Sequence, residues 1–387
     1  MKWEKVKLGK YVEILSGFAF KSKDFLNCGV PVIKIKNITQ EGVTLEDVSY
    51  ISKELADKNE KYHLNYNDIL IALTGSHINQ MSSVVGRIAR IKYHEDSLLN
   101  QRVGKVFAKD SKLCDIDYVY YFLSQDYIKI SLASKAGGAA NQANISPNDV
   151  KSLTVRWPDI ETQHRIADIL SAYDDLIENN QKQIKLLEEA AQRLYKEWFV
   201  NLRFPGHENT KIVDGVPEGW RRGLLKELIS VNYGKDHKKA PDDGNIPVYG
   251  SGGLMRKCNK SLFSGEAVLI PRKGSLNNIM YVDEAFWTVD TMFYATMKQP
   301  HTAVFVYFFV KAFDMYSMNI GAAVPSMTTK ILDAMDVVIP DKETLEKFDK
   351  YAKVYFNKIK TLQGQNERLK TARDLLLPKL MSGEVEV

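Results

Sequence analysis

Residues 158–198 of the chain read PDIETQHRIADILSAYDDLIENNQKQIKLLEEAAQRLYKEW, and residues 340–380 read PDKETLEKFDKYAKVYFNKIKTLQGQNERLKTARDLLLPKL. The two stretches align without a gap at a constant offset, so that, for example, Tyr173 falls on Tyr355. Such an internal repeat determines the architecture of a chain, because each copy must form the same kind of unit. We therefore predict two long, related segments, each preceded by its own region.

Apolar residues in both stretches recur at alternating spacings of four and three residues, which is the pattern of a coiled-coil helix. At roughly 1.5 Å per residue each helix forms a rod of roughly 50 Å. A helix of this kind buries one narrow stripe, and the matching stripe in this chain belongs to the other helix. The predicted seam residues are Ile166, Leu170, Tyr173, Ile177, Ile184, Leu187, Leu194, Phe348, Tyr355, Ile359, Leu362, Leu369 and Leu376.

Three polar or helix-breaking residues interrupt this seam. Asn180 and Asn366 occupy seam positions, where they either fix the register of the helices or are merely partly exposed. Pro378 lies near the end of the second helix, and we expect it to kink or terminate that helix. Leu380 is consequently predicted to be a weaker member of the seam.

The region ahead of each helix opens with a tryptophan, in WEKVKLGKYVEILSG from Trp3 and WRRGLLKELISVNYG from Trp220. Residues 31–38 alternate apolar and polar side chains, and residues 68–75 form an apolar run that ends in glycine; both patterns indicate strands. The chain is therefore predicted to be α+β, with two mixed α and β domains separated by long helices. The predicted segments are domain 1 at 1–157, the first helix at 158–203, domain 2 at 204–339 and the second helix at 340–387.

The composition sets broad limits on function. The 387 residues carry a net charge of +5, which permits nucleic-acid binding without requiring it. No apolar run approaches the length of a membrane span, and the N-terminus lacks the apolar stretch of a signal peptide. The three cysteines lie far apart in the sequence. We therefore expect a cytoplasmic protein that has no contact with a membrane.

Motifs for catalysis are absent from the sequence. An adenine methyltransferase would carry an Asn- or Asp-Pro-Pro-aromatic motif and a glycine-rich cofactor loop, and neither occurs here. The seven histidines do not cluster, so a metal site is not expected. We predict a non-catalytic chain that holds no cofactor of its own.

Four stretches resemble segments of one family, the specificity subunits of type I restriction-modification enzymes. They are GFAFKSKDF at 17–25, GVPVIKIKNI at 29–38, LLNQRVGKV at 98–106 and NISPNDVKSLTVRWPDIETQHRIADIL at 144–170. The order of domain, helix, domain and helix is similar along nearly the whole chain. The second half departs from the pattern at Leu345, where the first half has Gln163.

The resemblance implies a specific role. Each domain would be a target recognition domain that reads one half of a bipartite double-stranded DNA site. The helices would form an antiparallel coiled coil that sets the spacer and gives the internal repeat an approximate two-fold relation. Two methylation subunits would supply S-adenosylmethionine and methylate adenine, and restriction subunits would add cleavage.

Polar and basic residues in turns are the candidates for DNA contact, because Lys and Arg bind phosphates while Asn, Gln and Arg suit base edges. In domain 1 they are Lys34, Lys36, Asn37, Thr74, Ser76, His77, Asn79, Gln80, Arg87 and Arg90. In domain 2 they are Lys235, His237, Lys238, Lys239, Tyr249, Ser251, Arg256, Lys257, Arg272, Lys273, Ser275, Asn277 and Asn278.

A coiled-coil scaffold that binds protein and not DNA is the alternative interpretation. It explains the two helices equally well. It does not explain two divergent β-rich domains that end in the same junction, nor the basic turns. Retention on DNA that weakens steeply with salt would distinguish a DNA reader from a scaffold.

Overall fold

A computed structural model of the chain describes residues 3–40, 42–75, 84–135, 143–319 and 325–387. The chain forms two compact units: unit 1 is Met1–Glu178 with Asn366–Val387, and unit 2 is Asn179–Gln365. Four predicted DNA-contact residues, Ser76, His77, Asn79 and Gln80, lie outside the described residues. No helix in the described part of the chain is both long enough and apolar enough to cross a bilayer.

Unit 1 contains short strands and the first long helix. Its strands are β1 Glu4–Lys7, β2 Val12–Ser16, β3 Val30–Ile33, β4 Ser49–Ile51, β5 His63–Leu64, β6 Ile69–Ala72, β7 Thr74–Gly75, β8 Ile88–Arg90, β9 Ser97–Leu99, β10 Val103–Ala108, β11 Ala143–Asn144 and β12 Thr154–Trp157. Its helices are α1 Lys53–Asp57, α2 Ile116–Ser124, α3 Asp126–Lys135 and α4 Pro147–Lys151, followed by α5 Ile160–Tyr195, which continues into unit 2. The predicted strand at 31–38 ends at Ile33, and a 3-10 turn follows it.

Unit 2 is built on longer strands. They are β13 Ile212–Val213, β14 Val216–Pro217, β15 Arg221–Leu224, β16 Ile229–Tyr233, β17 Ile246–Gly250, β18 Gly253–Cys258, β19 Phe263–Pro271, β20 Met280–Thr288, β21 Met292–Met297 and β22 Asp336–Ile339. Its helices are α6 Ala303–Lys311, α7 Thr329–Asp333 and α8 Lys342–Ser382, whose last part belongs to unit 1.

The two units repeat one sheet topology. In unit 1 the main sheet has the order β2-β10-β6-β8, and in unit 2 the corresponding strands have the order β16-β21-β19-β20. A separate antiparallel pair precedes each long helix, formed by β1 with β12 and by β15 with β22. The repeat that the helices indicated therefore extends through both domains, and the predicted α+β class is confirmed.

Each long helix begins in the same way because an aspartate accepts a backbone hydrogen bond in its first turn. Asp159 Oδ1 accepts from Thr162 N at 2.8 Å, and Asp341 Oδ1 accepts from Thr344 N at 2.9 Å. This bond satisfies one of the N–H groups that every helix leaves unpaired at its start. Helix α5 has 36 residues and α8 has 41, so both end before the predicted bounds at 203 and 387.

Within each unit the segments of the two long helices run antiparallel, as predicted. In unit 1 the early residues Ile166 and Leu170 share a core with the late residues Leu377 and Leu380, and Arg373 pairs with Asp174. In unit 2 the late part of α5 packs on the early part of α8, where the ring centroids of Tyr195 and Phe348 are 6.2 Å apart.

Burial separates the predicted seam residues into two groups. The buried ones are Ile166, Leu170, Ile177, Phe348, Ile359 and Leu362, and the half-buried ones are Tyr173, Ile184, Leu187, Leu194, Tyr355, Leu369 and Leu376. Asn180 and Asn366 are each 7% exposed, which excludes the alternative that they are partly exposed.

Pro378 does not terminate α8, so the prediction that the helix would end at this residue is wrong. The helix continues to Ser382 because the residues around the proline are anchored in the core of unit 1. Leu380 is only 1% exposed and is a full member of that core. Pro378 itself is exposed.

Candidate nucleic-acid interface

One end of the main sheet in unit 2 is made of turns that are tied together by backbone hydrogen bonds. We call this surface, formed by residues 233–235, 251–252 and 272–279, the loop end of unit 2. Its backbone bonds are Gly234 N to Met292 O (3.0 Å), Lys235 N to Thr288 O (2.9 Å), Arg272 N to Thr291 O (2.8 Å) and Met327 N to Arg272 O (2.9 Å).

The same frame occurs in unit 1, where residues 16–18, 73–75 and 101–102 form the loop end of unit 1. Its bonds are Gly17 N to Val103 O (3.1 Å), Phe18 N to Leu99 O (3.0 Å), Leu73 N to Arg102 O (3.0 Å) and Ile145 N to Leu73 O (2.9 Å). The two sets of bonds correspond one to one. The backbone at both loop ends is therefore held in one arrangement.

Two equivalent glycines make this frame possible. A Cβ atom on Gly17 would collide with the carbonyl oxygens of Leu99 and Asn100. A Cβ atom on Gly234 would collide with the carbonyl oxygens of Thr288 and Val289. Only glycine permits the backbone of the neighbouring turn to approach so closely.

The side chains carried by this shared frame differ between the units. The equivalent residues, with unit 1 first, are Ser16 and Tyr233, Phe18 and Lys235, Leu73 and Arg272, and Thr74 and Lys273. Leu73 and Thr74 are buried, whereas Arg272 is partly exposed and Lys273 is exposed. The loop end of unit 2 is therefore basic and aromatic at positions that are apolar or neutral in unit 1.

The structure brings most of the candidates predicted for domain 2 together at this loop end. They are Lys235, Ser251, Arg272, Lys273, Ser275, Asn277 and Asn278. Asn278 Nδ2 donates to the carbonyl oxygen of Ser251 at 2.9 Å, and this bond joins two of the turns. Asn277 makes hydrogen bonds within the domain. Its Nδ2 atom donates to Asp314 Oδ1, and its Oδ1 atom accepts from the backbone N–H of Met315.

A second group of candidates forms a basic turn at His237–Lys239. Lys238 and Lys239 are exposed there, and Asp236 caps the turn through a hydrogen bond from Lys238 N at 3.0 Å. Arg256 anchors the turn from β18, since it donates to the carbonyl oxygens of His237 and Ala240 and pairs with Asp242.

The last two candidates of domain 2 lie on strands. Lys257 is exposed on β18, next to Arg256. The Tyr249 hydroxyl group donates to Glu284 Oε1 at 3.2 Å, and burial together with this carboxylate raises the pKa of Tyr249. The Tyr249 hydroxyl group therefore stays neutral, and its hydrogen bond lies within the domain.

In unit 1 the exposed candidates are fewer. Lys36 is exposed, whereas Lys34 donates to Ser49 Oγ at 2.9 Å and lies 3.5 Å from the ring centroid of Phe25. Burial and the nearby Lys36 lower the pKa of Lys34. Arg87 donates to the carbonyl oxygen of Ile38 at 3.2 Å and is partly exposed.

Asn37 and Arg90 are placed in the interior of unit 1. Asn37 is 0% exposed, and its amide group bonds the backbone of Lys34 and Glu46. Arg90 is 8% exposed, pairs with Asp117 at 2.8 Å and lies over the ring of Tyr120. The sequence predicted DNA contact for both residues, but both side chains are buried in the structure.

The structure also shows exposed residues that the sequence did not single out. Gln101 and Arg102 are exposed at the loop end of unit 1, and Tyr233 and Tyr316 are exposed at or beside the loop end of unit 2. Arg102 directly precedes β10 within a stretch that carried the family resemblance. Its position directly before a buried strand is the sequence signal that could have identified it.

The described residues contain no group of three His, Cys, Asp or Glu side chains arranged to hold a metal ion. All three cysteines, Cys28, Cys114 and Cys258, are free.

Comparison with known proteins identifies the family. The family model described as "Type I restriction modification DNA specificity domain" matches residues 1–189 and 217–371. The chain belongs to the specificity subunits of type I restriction-modification enzymes. Specificity subunits are components of type I restriction-modification complexes.

Relatives and a solved structure resemble this specificity subunit over its length. It is 24% identical to the type I restriction enzyme MjaIX specificity subunit of Methanocaldococcus jannaschii, across 100% of this chain and 94% of that one. It is 30% identical to the MjaVIII specificity subunit of the same organism over 50% of this chain and 44% of that one. The crystal structure of the type I S subunit from M. genitalium matches with a TM-score of 0.60 at 17% identity, across 98% and 96% of the two chains, and so shares the fold.

Proposed function

We propose that this specificity subunit reads a bipartite site in double-stranded DNA, with one half of the site contacted by the loop end of each unit. The recognition domains are the segments 1–157 and 204–339. The observation that carries the proposal is the shared hydrogen-bonded frame that presents different side chains in the two units. A protein that recognises two unlike half-sites needs this combination, because the frame positions the contacts and the side chains select the bases.

Electrostatics supports contact with the DNA backbone. Lys235, Lys238, Lys239 and Lys273 are exposed in unit 2, and Lys36 and Arg102 are exposed in unit 1. Basic side chains on phosphates supply most of the salt-dependent affinity of DNA-binding proteins. These residues position the protein, and neighbouring polar side chains read base edges.

The helices are proposed to set the spacer and to bind two methylation subunits. Apolar side chains lie on the outer helix surface, where Leu176, Leu186, Val354 and Leu375 are each more than half exposed. The methylation subunits would supply S-adenosylmethionine and transfer its methyl group to adenine, and restriction subunits would add cleavage. This chain would contribute recognition and no catalysis, and the complex would act in the cytoplasm.

Insertion of one seven-residue repeat into each helix, after Gln181 and after Gly364, tests the proposal. Seven residues keep the seam in phase. They lengthen each rod by roughly 10 Å at 1.5 Å per residue, which is roughly 3 base pairs at 3.4 Å each. We expect the assembled methyltransferase to methylate the same two half-sites with a gap longer by roughly that amount.

Sequencing of methylated adenines in cells that carry the wild-type or the lengthened gene provides the measurement. An unchanged gap would remove the spacer role of the helices. If no methylated motif depends on the wild-type gene, the DNA-reading proposal fails and a protein-binding scaffold is favoured.

A further inference from the structure

Backbone hydrogen bonds hold Arg272 through both its N–H and its carbonyl group at the loop end of unit 2. Its N–H donates to the carbonyl oxygen of Thr291, and its own carbonyl oxygen accepts from Met327 N. It directly follows β19, which is buried through its last five residues. The Cα–Cβ bond of Arg272 is therefore held by the core of the domain, although its side chain reaches the surface.

The guanidinium group of Arg272 is also held in place. Its Cζ atom lies 5.5 Å from the ring centroid of Tyr233, and one amino group donates to the carbonyl oxygen of Asp290 at 3.2 Å. Tyr233 is 53% exposed, and its ring packs edge-on against Phe293 at a centroid distance of 5.1 Å. The aromatic ring and the carbonyl group together restrict where the guanidinium plane can turn.

An arginine held in this way is suited to a base and not only to a phosphate. The guanidinium group presents N–H donors in a planar fork, which matches the O6 and N7 acceptors of guanine in the major groove. Because its side chain is ordered before binding, less conformational entropy is lost when it contacts the base. The neighbouring Lys273 is exposed and presents a flexible point charge, which suits a phosphate.

We propose that Arg272 reads a guanine in the half-site contacted by unit 2, and that Tyr233 is its positioning residue. This inference rests on the proposed function, because it assumes that the loop end faces DNA. Unit 1 has the buried Leu73 and the small Ser16 at the equivalent positions. The guanine contact therefore belongs to one half-site only.

The test uses the complete complex of this subunit with its methylation subunits and S-adenosylmethionine. The substrate is a duplex library in which each position of both half-sites is varied, and relative methylation rates give the preference for each base pair. The Arg272→Lys variant keeps the positive charge but loses the planar fork of N–H donors. We expect one G·C preference in the unit 2 half-site to fall by roughly 10- to 100-fold, with the other half-site unchanged.

Two further variants separate positioning from charge. Tyr233→Phe keeps the aromatic ring and should retain the G·C preference, whereas Tyr233→Ser installs the residue of unit 1 and should reduce that preference several-fold. Lys273→Ala is the matched control, because loss of a phosphate contact should weaken methylation of all sequences equally. If Arg272→Lys does not fold, comparison of Tyr233→Phe with Tyr233→Ser tests the guanine contact independently. Thermal unfolding of each complex shows whether the variant is folded.

The outcomes distinguish this inference from the proposed function. An unchanged G·C preference in Arg272→Lys overturns the guanine contact. A uniform loss at every base assigns Arg272 to a phosphate and also overturns it, while DNA reading by the loop end stands. If the wild-type complex shows no base preference in either half-site, the proposed function itself fails.

Discussion

Unit 1 carries Leu73 and Thr74 where unit 2 carries Arg272 and Lys273, although equivalent hydrogen bonds hold both pairs. The backbone bonds lie within and beside the sheet, so they are insensitive to the side chains that project from the turns. Side-chain chemistry at the loop end can therefore change while the frame persists. One fold can therefore present two unlike sets of side chains within a single chain.

The contacts between the domains and their helix segments differ as well. In unit 2 the helix contact is aromatic, because Tyr195 and Phe199 each pack against Phe348 and against Phe305. In unit 1 aliphatic residues are joined by a polar link, in which the Tyr121 hydroxyl group donates to Asp174 at 2.7 Å. Aromatic side chains bury more apolar area per residue, whereas the stabilisation from the polar link depends on the geometry of its hydrogen bond.

The largest expected effect follows from breaking the aromatic contact of unit 2. Phe348 is fully buried, so Phe348→Ala should lower the free energy of unfolding of unit 2 by about 3–5 kcal/mol. Val354→Ala, at an exposed position of the same helix, is the control and should stay within about 0.5 kcal/mol of the wild type.

Hydrogen exchange with peptide resolution measures this effect in each unit separately. Faster exchange in unit 2 with little change in unit 1 would show that the two repeats are stabilised by their own cores. Equal acceleration in both units would contradict that separation.

Substitution of the two equivalent glycines tests whether both units depend on the shared backbone frame. Gly17→Ala and Gly234→Ala each place a Cβ atom against carbonyl oxygens, and each should destabilise its unit by about 1–3 kcal/mol. Gly252→Ala is a suitable control, because no atom lies within 4 Å of its Cβ position.

Chemical denaturation of the three variants provides the comparison. A large effect at only one of the two glycines would mean that the frame is needed in one unit alone. Stability equal to that of Gly252→Ala at both sites would contradict the role of the glycines.

The smallest expected effect concerns a helix cap that unit 1 has and unit 2 lacks. Ser146 Oγ accepts from Asp149 N at 3.2 Å, and Asp149 accepts from the backbone N–H of Ser146 at 2.7 Å. Thr328, the equivalent residue in unit 2, makes no side-chain cap bond, and Ile331 stands in the place of the aspartate. Ser146→Ala should cost about 1 kcal/mol, and Thr328→Ala should change stability by less than about 0.5 kcal/mol.

The pH dependence of this cap has a definite sign. Hydrogen bonds from the side chain and the backbone of Ser146 lower the pKa of Asp149 below its ordinary value of 3.8. A carboxyl group whose pKa is lowered by folding adds stability above its ordinary pKa and loses it as the pH falls through the lowered pKa. Urea unfolding at neutral pH and near pH 3 should therefore show a smaller cost for Ser146→Ala in acid; an equal cost would contradict the ionic part of the cap.

The sequence alone determined the long helices, the repeat and the α+β class. Helical periodicity is local, so the spacing of apolar residues in 158–198 and 340–380 predicts both helices without knowledge of their surroundings. Two copies of one pattern then imply two related domains. The family resemblance came from short stretches in order, and the comparisons confirm it.

Only the tertiary structure decided which side chains are available for recognition. Asn37 and Arg90 have the polarity of contact residues, but both are buried, and Arg90 contacts Asp117 and Tyr120 of the helix α2. The equivalence of Leu73 with Arg272 depends on bonds to Arg102 and Thr291. Pairing between strands and burial against distant residues are not encoded in any local pattern, and for the same reason α8 passes through Pro378 once the core of unit 1 holds the residues around it.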